Sequence, residues 1–305
     1  MKKTLTKVRR KFGNKYYDQY LWLGITWSRI KISFNSFGKK GSWLKLDQIM
    51  AKKKSDTLFI LGTGSSVNRY TAEQWQDISQ ADTMGLNDWI FHDFIPNILM
   101  AEILHDMDYF PNSYYHDLEL VLDAYKTHQT LMIYKDGARG KKNLEKLPAV
   151  VRTEFLALYN PTVPILKINQ IAPAIQKISQ ILHQYNHQRK LMIFRKRATL
   201  FSAIELAWLM GYKKIVLCGI DLNHGNYFFD EDRNYYESKG FKLPIYTQHV
   251  GGHKTNNAEI SEVTVSQLVR GLNETLLKPD AIRLTVGSKE SALADFLPYE
   301  WEMNA

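Results

Sequence analysis

The chain has 305 residues, 45% of them hydrophobic and 12% aromatic, with a net charge of +9 and one cysteine, Cys218. That is enough to bury a sizeable core in one large domain with appendages, and it excludes a disulfide framework, which points to a reducing, cytoplasmic compartment. No stretch approaches the ~20 apolar residues that span a bilayer, and the basic start lacks the apolar core and cleavage site of a secretory signal.

The charge is unevenly placed. Residues 1–54 hold fifteen Lys/Arg against Asp18 and Asp47, a net +13, so the rest of the chain carries −4. This basic arm is interleaved with Tyr16, Tyr17, Tyr20, Trp22, Trp27 and Trp43. Such a segment suits attachment to an anionic membrane surface at the inner face of the cell membrane. The competing reading is an arm whose aromatics pack on the body. No nucleic-acid motif is present. The turn-rich "SFNSFGKKGSW" separates the arm from a body spanning 55–305.

In the body, "LFILGTGSSVNRY" reads as a buried strand running into a turn made by Gly62 and Gly64. A dinucleotide fingerprint would place a third glycine where Val67 stands. "TAEQWQDISQ" predicts a short helix capped by Thr71, and "DTMGLNDWIF" a second strand ending near Asn87. "PNILMAEIL", "QTLMIYK" and "KLMIFRKRATL" supply a third, fourth and fifth apolar run. The last leads into the helix "LFSAIELAWLMG", ended by Gly211, in which Glu205 faces a polar neighbour or solvent. "YKKIVLCGIDL" is the clearest strand; a helix in "NAEISEVTVSQLVRGL" joins it to a last strand, "AIRLTVGS". The alternation predicts an α/β fold, a Rossmann-like, mostly parallel sheet with helices on both faces.

In such sheets ligands bind beyond the carboxyl ends of the strands. The residues there are Gly62, Thr63, Gly64, Ser65 and Ser66; Asn87 and Asp88; Arg195, Lys196, Arg197 and Thr199; and Gly219 and Asp221. The polar, Gly- and Tyr-rich stretch at about 222–253 is too polar for core elements and reads as a lid. The set suits transfer from a donor carrying one phosphate: backbone and hydroxyls grip the nucleotide, tyrosines and a cation hold the phosphate, and a histidine takes a proton.

"ILGTGSSV", "GLND", "RATLFSAIELAWLMGYKKIVLCGIDLNHGNYFFD", "HVGGHKTNN" and "IRLTVGSKESALADFL" occur in order over roughly residues 56–297. In these motifs the chain resembles the bacterial sialyltransferases of glycosyltransferase family forty-two, with G-Y-K-x-I-x-L-x-G-I-D and H-x-x-G-H the most specific pieces. The resemblance implies a GT-A-like variant of the fold and an inverting transfer of sialic acid from CMP-sialic acid to a surface-glycan or glycolipid acceptor. It implies no cofactor and no metal. CMP falls to Gly62, Thr63, Gly64, Ser65 and Ser66, where the family has Asn for Thr63 and Pro for Ser65. Asn87 and Thr199 match a second-strand asparagine and a hydroxyl residue heading the long helix. The nearby cation is Arg197, Arg195 or Lys196. Of two tyrosines on the donor phosphate, Tyr227 matches one and Asn223 replaces the other. The catalytic base falls on His253, and Val250 replaces a neighbouring tyrosine.

Other readings stay open. The sugar is Kdo or another ulosonate carried by CMP, or a metal-dependent transferase uses Asp106–Asp108 or Asp230–Asp232 as a D-x-D pair on a nucleotide-diphosphate sugar. Outside the transferases stands an inert nucleotide-binding membrane scaffold. The glycines between His249 and His253 argue against a helical zinc pair, and Tyr235, Tyr236 and Tyr246 suit lid packing better than acceptor binding. A homo-oligomer is compatible with every reading.

Overall fold

The computed structural model describes residues 17–35, 43–102, 113–136, 147–185, 190–223, 226–245, 256–257 and 262–302. Through the first half of the body run α1 (Tyr17–Asn35), α2 (Leu46–Met50), β1 (Thr57–Leu61), α3 (Ala72–Ser79), β2 (Asp82–Leu86), β3 (Ile98–Ala101), α4 (Ser113–Thr127) and β4 (Leu131–Asp136). There follow α5 (Ala149–Arg152), β5 (Phe155–Tyr159), α6 (Ile171–Tyr185), α7 (Thr199–Leu209), β6 (Lys214–Cys218), α8 (Arg233–Ser238), α9 (Val265–Leu272) and β7 (Arg283–Val286).

The seven strands form one sheet in the order β5-β4-β3-β2-β1-β6-β7, and every pair is parallel. Parallel sheets bury both faces, which is why these strands read as continuous apolar runs. Leu58 and Ile60 of β1 join a core that includes α1, α6, α7 and α9, while Phe59 and Leu61 face the opposite core with Ile78 of α3 and Leu118 and Leu122 of α4. Cys218 closes β6 inside that second core, where burial pushes its thiol up to about 12. Thr71 caps α3 through its hydroxyl, and Gly211 after α7 takes a left-handed φ of 74°.

The fifth strand is not the one the sequence suggests. Phe155–Tyr159 fills that place, and Leu191–Arg195 runs alongside its end through isolated bridges, Met192 beside Tyr159 and Arg195 beside Thr162. Pro161 interrupts the pairing because it has no amide hydrogen to offer. Below that segment Glu205 is fully buried rather than facing solvent: its Oε2 accepts from the Phe194 amide at 2.8 Å and its Oε1 has no partner. Burial pushes its carboxyl well above the ordinary range, so the folded state holds it protonated. A raised folded pKa contributes stability that is lost as pH rises above the unfolded value. Glu205→Gln is therefore expected to raise the melting temperature at pH 7–8, a gain of ~1–3 kcal/mol that vanishes near pH 4. Melting curves across that range check it.

The described parts of the first 54 residues belong to the packing of this domain. Tyr17, Leu21, Ile25 and Ile32 of α1 are buried, and a Cβ on Gly24 would lie 2.6 Å from the Pro164 ring. Ser28 Oγ accepts from the Thr162 amide at 2.8 Å, and Leu44 pairs with Ala157 at the β5 edge.

Candidate active site

In the sheet, the order of strand addition reverses at β1: β2 to β5 are laid down on one side of it, and β6 and β7 on the other. Ligand sites form at such a switch point. Five adjacent strand ends meet there, carrying Asp221, the Gly62–Ser66 turn, Asn87, Glu102 and Lys135 in order across β6, β1, β2, β3 and β4.

The two glycines of the turn answer to protein packing. A Cβ on Gly62 would lie 2.7 Å from the Gly219 carbonyl oxygen, and one on Gly64 2.4 Å from Asp221 Oδ2. Gly219 itself has a φ of 62° and no room for a Cβ beside Gly62. The amides of Gly62, Gly64 and Ser65 donate to Cys218, Gly219 and Asn226 at 2.7, 2.8 and 3.2 Å. Ser66 gives both its amide (3.1 Å) and its hydroxyl (2.5 Å) to Asp221. Among the described residues, Thr63 alone of these five has an amide without a protein acceptor. The turn continues as a single 3₁₀ stretch, Ser65–Arg69, and so offers no α-helical N-terminus to a pyrophosphate.

Over this turn lies the start of the segment expected as a lid. Gly64 and Tyr227 form an antiparallel bridge, and the Phe228 amide donates to Thr63 at 3.0 Å. The segment is more deeply anchored than its polarity suggests. Phe228 and Phe229 are fully buried against Trp89, Phe91 and His92, and burial pulls that histidine down to about 4, leaving it neutral. Tyr227 stacks on Phe229, and burial, then the nearby Asp88 and Asp230, raise its hydroxyl well above the ordinary range. The residue that bridges the turn through its backbone therefore carries a protonated phenol. Asp230 accepts from the Tyr227 amide and pairs with Arg233, while Asp232 caps α8. Asn223 donates to the Glu290 carbonyl, and Tyr235 to Asp93. His253, His249, Val250, Tyr246 and Asp106–Asp108 lie outside the described residues.

A second cluster adjoins the first. Lys135 Nζ lies 2.6 Å from Glu102 Oε2 and 3.1 Å from Thr199 Oγ1 at the head of α7. Asn87 donates to Thr199 Oγ1 at 3.3 Å and accepts the Glu102 amide at 3.0 Å. Arg195 stands 3.6 Å from Glu102 Oε1 and donates its Nε to Thr162 at 2.8 Å. Burial pushes Glu102 upward, but Lys135, Arg195 and Thr199 together hold it below the ordinary carboxylate range. Lys135 is fully buried, which lowers its pKa against the pull of Glu102. Lys196 donates to the Ile165 carbonyl, and burial with the neighbouring Arg197 brings it down to about 8.

Sequence reasoning thus named Asn87, Thr199 and Arg195 but missed Glu102 and Lys135. Both close apolar runs, and the strand-end rule applied to β3 and β4 finds them. Backbone geometry marks the same edge: Asn87, Arg197 and Leu222 have φ of 49°, 62° and 61°, three of five non-glycine residues with positive φ among those described. Asparagine tolerates this region, whereas Arg and Leu pay ~1–2 kcal/mol each.

No family model matches the chain, and no curated protein does. Among solved structures it is similar to the monofunctional alpha-2,3-sialyltransferase Cst-I from Campylobacter jejuni, at 14% identity and a TM-score of 0.43, with 83% of this chain and 84% of that one covered. It is also similar to the sialyltransferase CstII from Campylobacter jejuni, solved in complex with a substrate analogue, cytidine-5'-monophosphate, at 15% identity and a TM-score of 0.40, covering 80% and 84%.

Proposed function

We propose that the chain is an inverting glycosyltransferase that takes a sugar from a CMP-activated ulosonic acid, CMP-sialic acid first among them, to a glycan or glycolipid acceptor. The observation that carries this is the switch-point edge. A turn with little free backbone for a pyrophosphate is bridged by Tyr227, whose phenol stays protonated, and Asn87 at the next strand end leads through Thr199 and Glu102 to Arg195. One phosphate suits such a site better than two. A phenol and a cation stabilise a departing monophosphate without a divalent ion. Next to it, Lys135 and Arg195 outweigh Glu102 by one positive charge, which suits a sugar bearing a carboxylate.

In the reaction, His253 accepts the proton of the acceptor hydroxyl as that oxygen attacks the anomeric carbon. The bond from that carbon to the phosphate oxygen breaks, and CMP leaves with the electron pair. Gly62, Thr63, Gly64, Ser65, Ser66, Asn87, Thr199, Gly219, Asp221 and Asn223 shape the donor site directly or by holding its walls. The expected result is that CMP raises the melting temperature more than UDP, NAD or S-adenosylmethionine, and that saturating EDTA leaves turnover intact. Preferential stabilisation by UDP, or activity lost to EDTA and restored by Mn²⁺, would favour the diphosphate-sugar reading instead.

A further inference from the structure

Helix α1 is apolar on two sides. Its inner side packs on the domain, yet Leu23 (59% exposed), Trp27 (59%), Ile30 (43%) and Phe34 (76%) recur at spacings of four, three and four residues along its outer side. Trp22 is 57% exposed on the flank of this stripe. Five of the eleven exposed large hydrophobic residues among those described therefore sit on one helix. Scattered exposed apolar residues are ordinary, but an aligned stripe marks an interaction surface.

The charge around it indicates the partner. Residues 1–16, directly before the helix, contain seven Lys/Arg and no acid, and the helix itself contains only Asp18. Lys31 lies 5.3 Å from the Trp27 ring, on the edge of the stripe. Tryptophans with basic neighbours suit the level of lipid headgroups, rings inward and charges toward anionic phosphates. Among the described residues no helix is long and apolar enough to cross a membrane. We infer that α1 lies in the plane of an anionic bilayer surface, with Leu23, Trp27, Ile30 and Phe34 inserted among the lipids and residues 1–16 attracted to the headgroups. The helix connects to the candidate site through Ser28, whose hydroxyl holds Thr162, which in turn holds Arg195. Docking thus fixes how the strand-end edge is presented to the surface. The inference does not depend on the transferase reading.

The test uses the full chain and vesicles of phosphatidylcholine with or without phosphatidylglycerol. Co-sedimentation is expected with the anionic vesicles, weakening as salt rises. The triple variant Leu23→Ser/Trp27→Ser/Phe34→Ser should reduce partitioning by roughly tenfold or more, with an unchanged melting curve because all three side chains are exposed. Lipids brominated on the acyl chain should quench tryptophan emission in the wild type, and Trp27→Phe should remove much of that quenching, which keeps the test valid if the triple variant folds poorly. Absence of binding to either vesicle, equal binding by the triple variant, or binding without quenching would each overturn insertion. So would a wild-type dimer, seen in analytical ultracentrifugation without lipid, that the triple variant converts to monomer.

Discussion

Replacing Lys135 by methionine is expected to cost about 3–5 kcal/mol of folding stability, a large share of what a domain has. The ammonium is fully buried, 2.6 Å from Glu102, so its removal strands a carboxylate that has exchanged water for one strong partner. Arg195, a full ångström farther away at 3.6 Å and half-exposed, compensates only in part. The penalty has a pH signature. Without Lys135 the folded-state pKa of Glu102 rises above its unfolded value, so the variant's stability deficit grows as pH increases through the ordinary glutamate range and shrinks below it. Denaturant melts at pH 4 and pH 8 measure the difference. The double variant Lys135→Met/Glu102→Leu should recover most of the loss, since removing both partners of a buried pair is often nearly neutral. A single variant as stable as the wild type at pH 8 would mean that Glu102 finds water or another cation.

His253→Ala is expected to remove transfer by ~10²–10⁴-fold while CMP still binds, the usual effect of losing a general base. The assignment rests on H-x-x-G-H, where His253 is the residue matching the base in the resemblance. Steady-state rates of CMP release for both proteins, paired with calorimetric CMP titrations, separate a chemical role from a binding one. If turnover stays near wild type, the proton goes elsewhere. If CMP affinity and turnover fall together, the histidine shapes the pocket instead.

Much of the architecture was legible because a parallel sheet buried on both faces writes itself as apolar runs. β1, β2, β6 and β7 lie where those runs predict, and Thr71 and Gly211 punctuate their helices as expected. The fifth strand was misplaced because "KLMIF" and "FLALY" both read as short apolar runs, and only the folded sheet shows the second in the ladder and the first beside its end, with Pro161 interrupting their pairing. Helix α1 was hard to place because an element apolar on two sides shows no single stripe. At the site, Asn87 and Thr199 were found from strand and helix ends, whereas the Lys135–Glu102 pair depends on two strands 33 residues apart in sequence becoming neighbours. The glycines of the first turn were visible, but their reason was not. Only the close approach of β1's end to Gly219 and Asp221 shows that packing, and not a ligand alone, requires them.

The most direct measurement of the central claim is consumption of CMP-sugars by the purified full chain in the presence of EDTA, followed as CMP release. Donors would include CMP-sialic acid, CMP-Kdo, UDP-glucose and UDP-galactose. The account predicts CMP release from a CMP-ulosonate, accelerated by a glycan acceptor and nearly abolished in His253→Ala, with no release of UDP. Turnover confined to a UDP-sugar and dependent on added Mn²⁺, or no turnover of any donor by a protein that binds none of them, would contradict it.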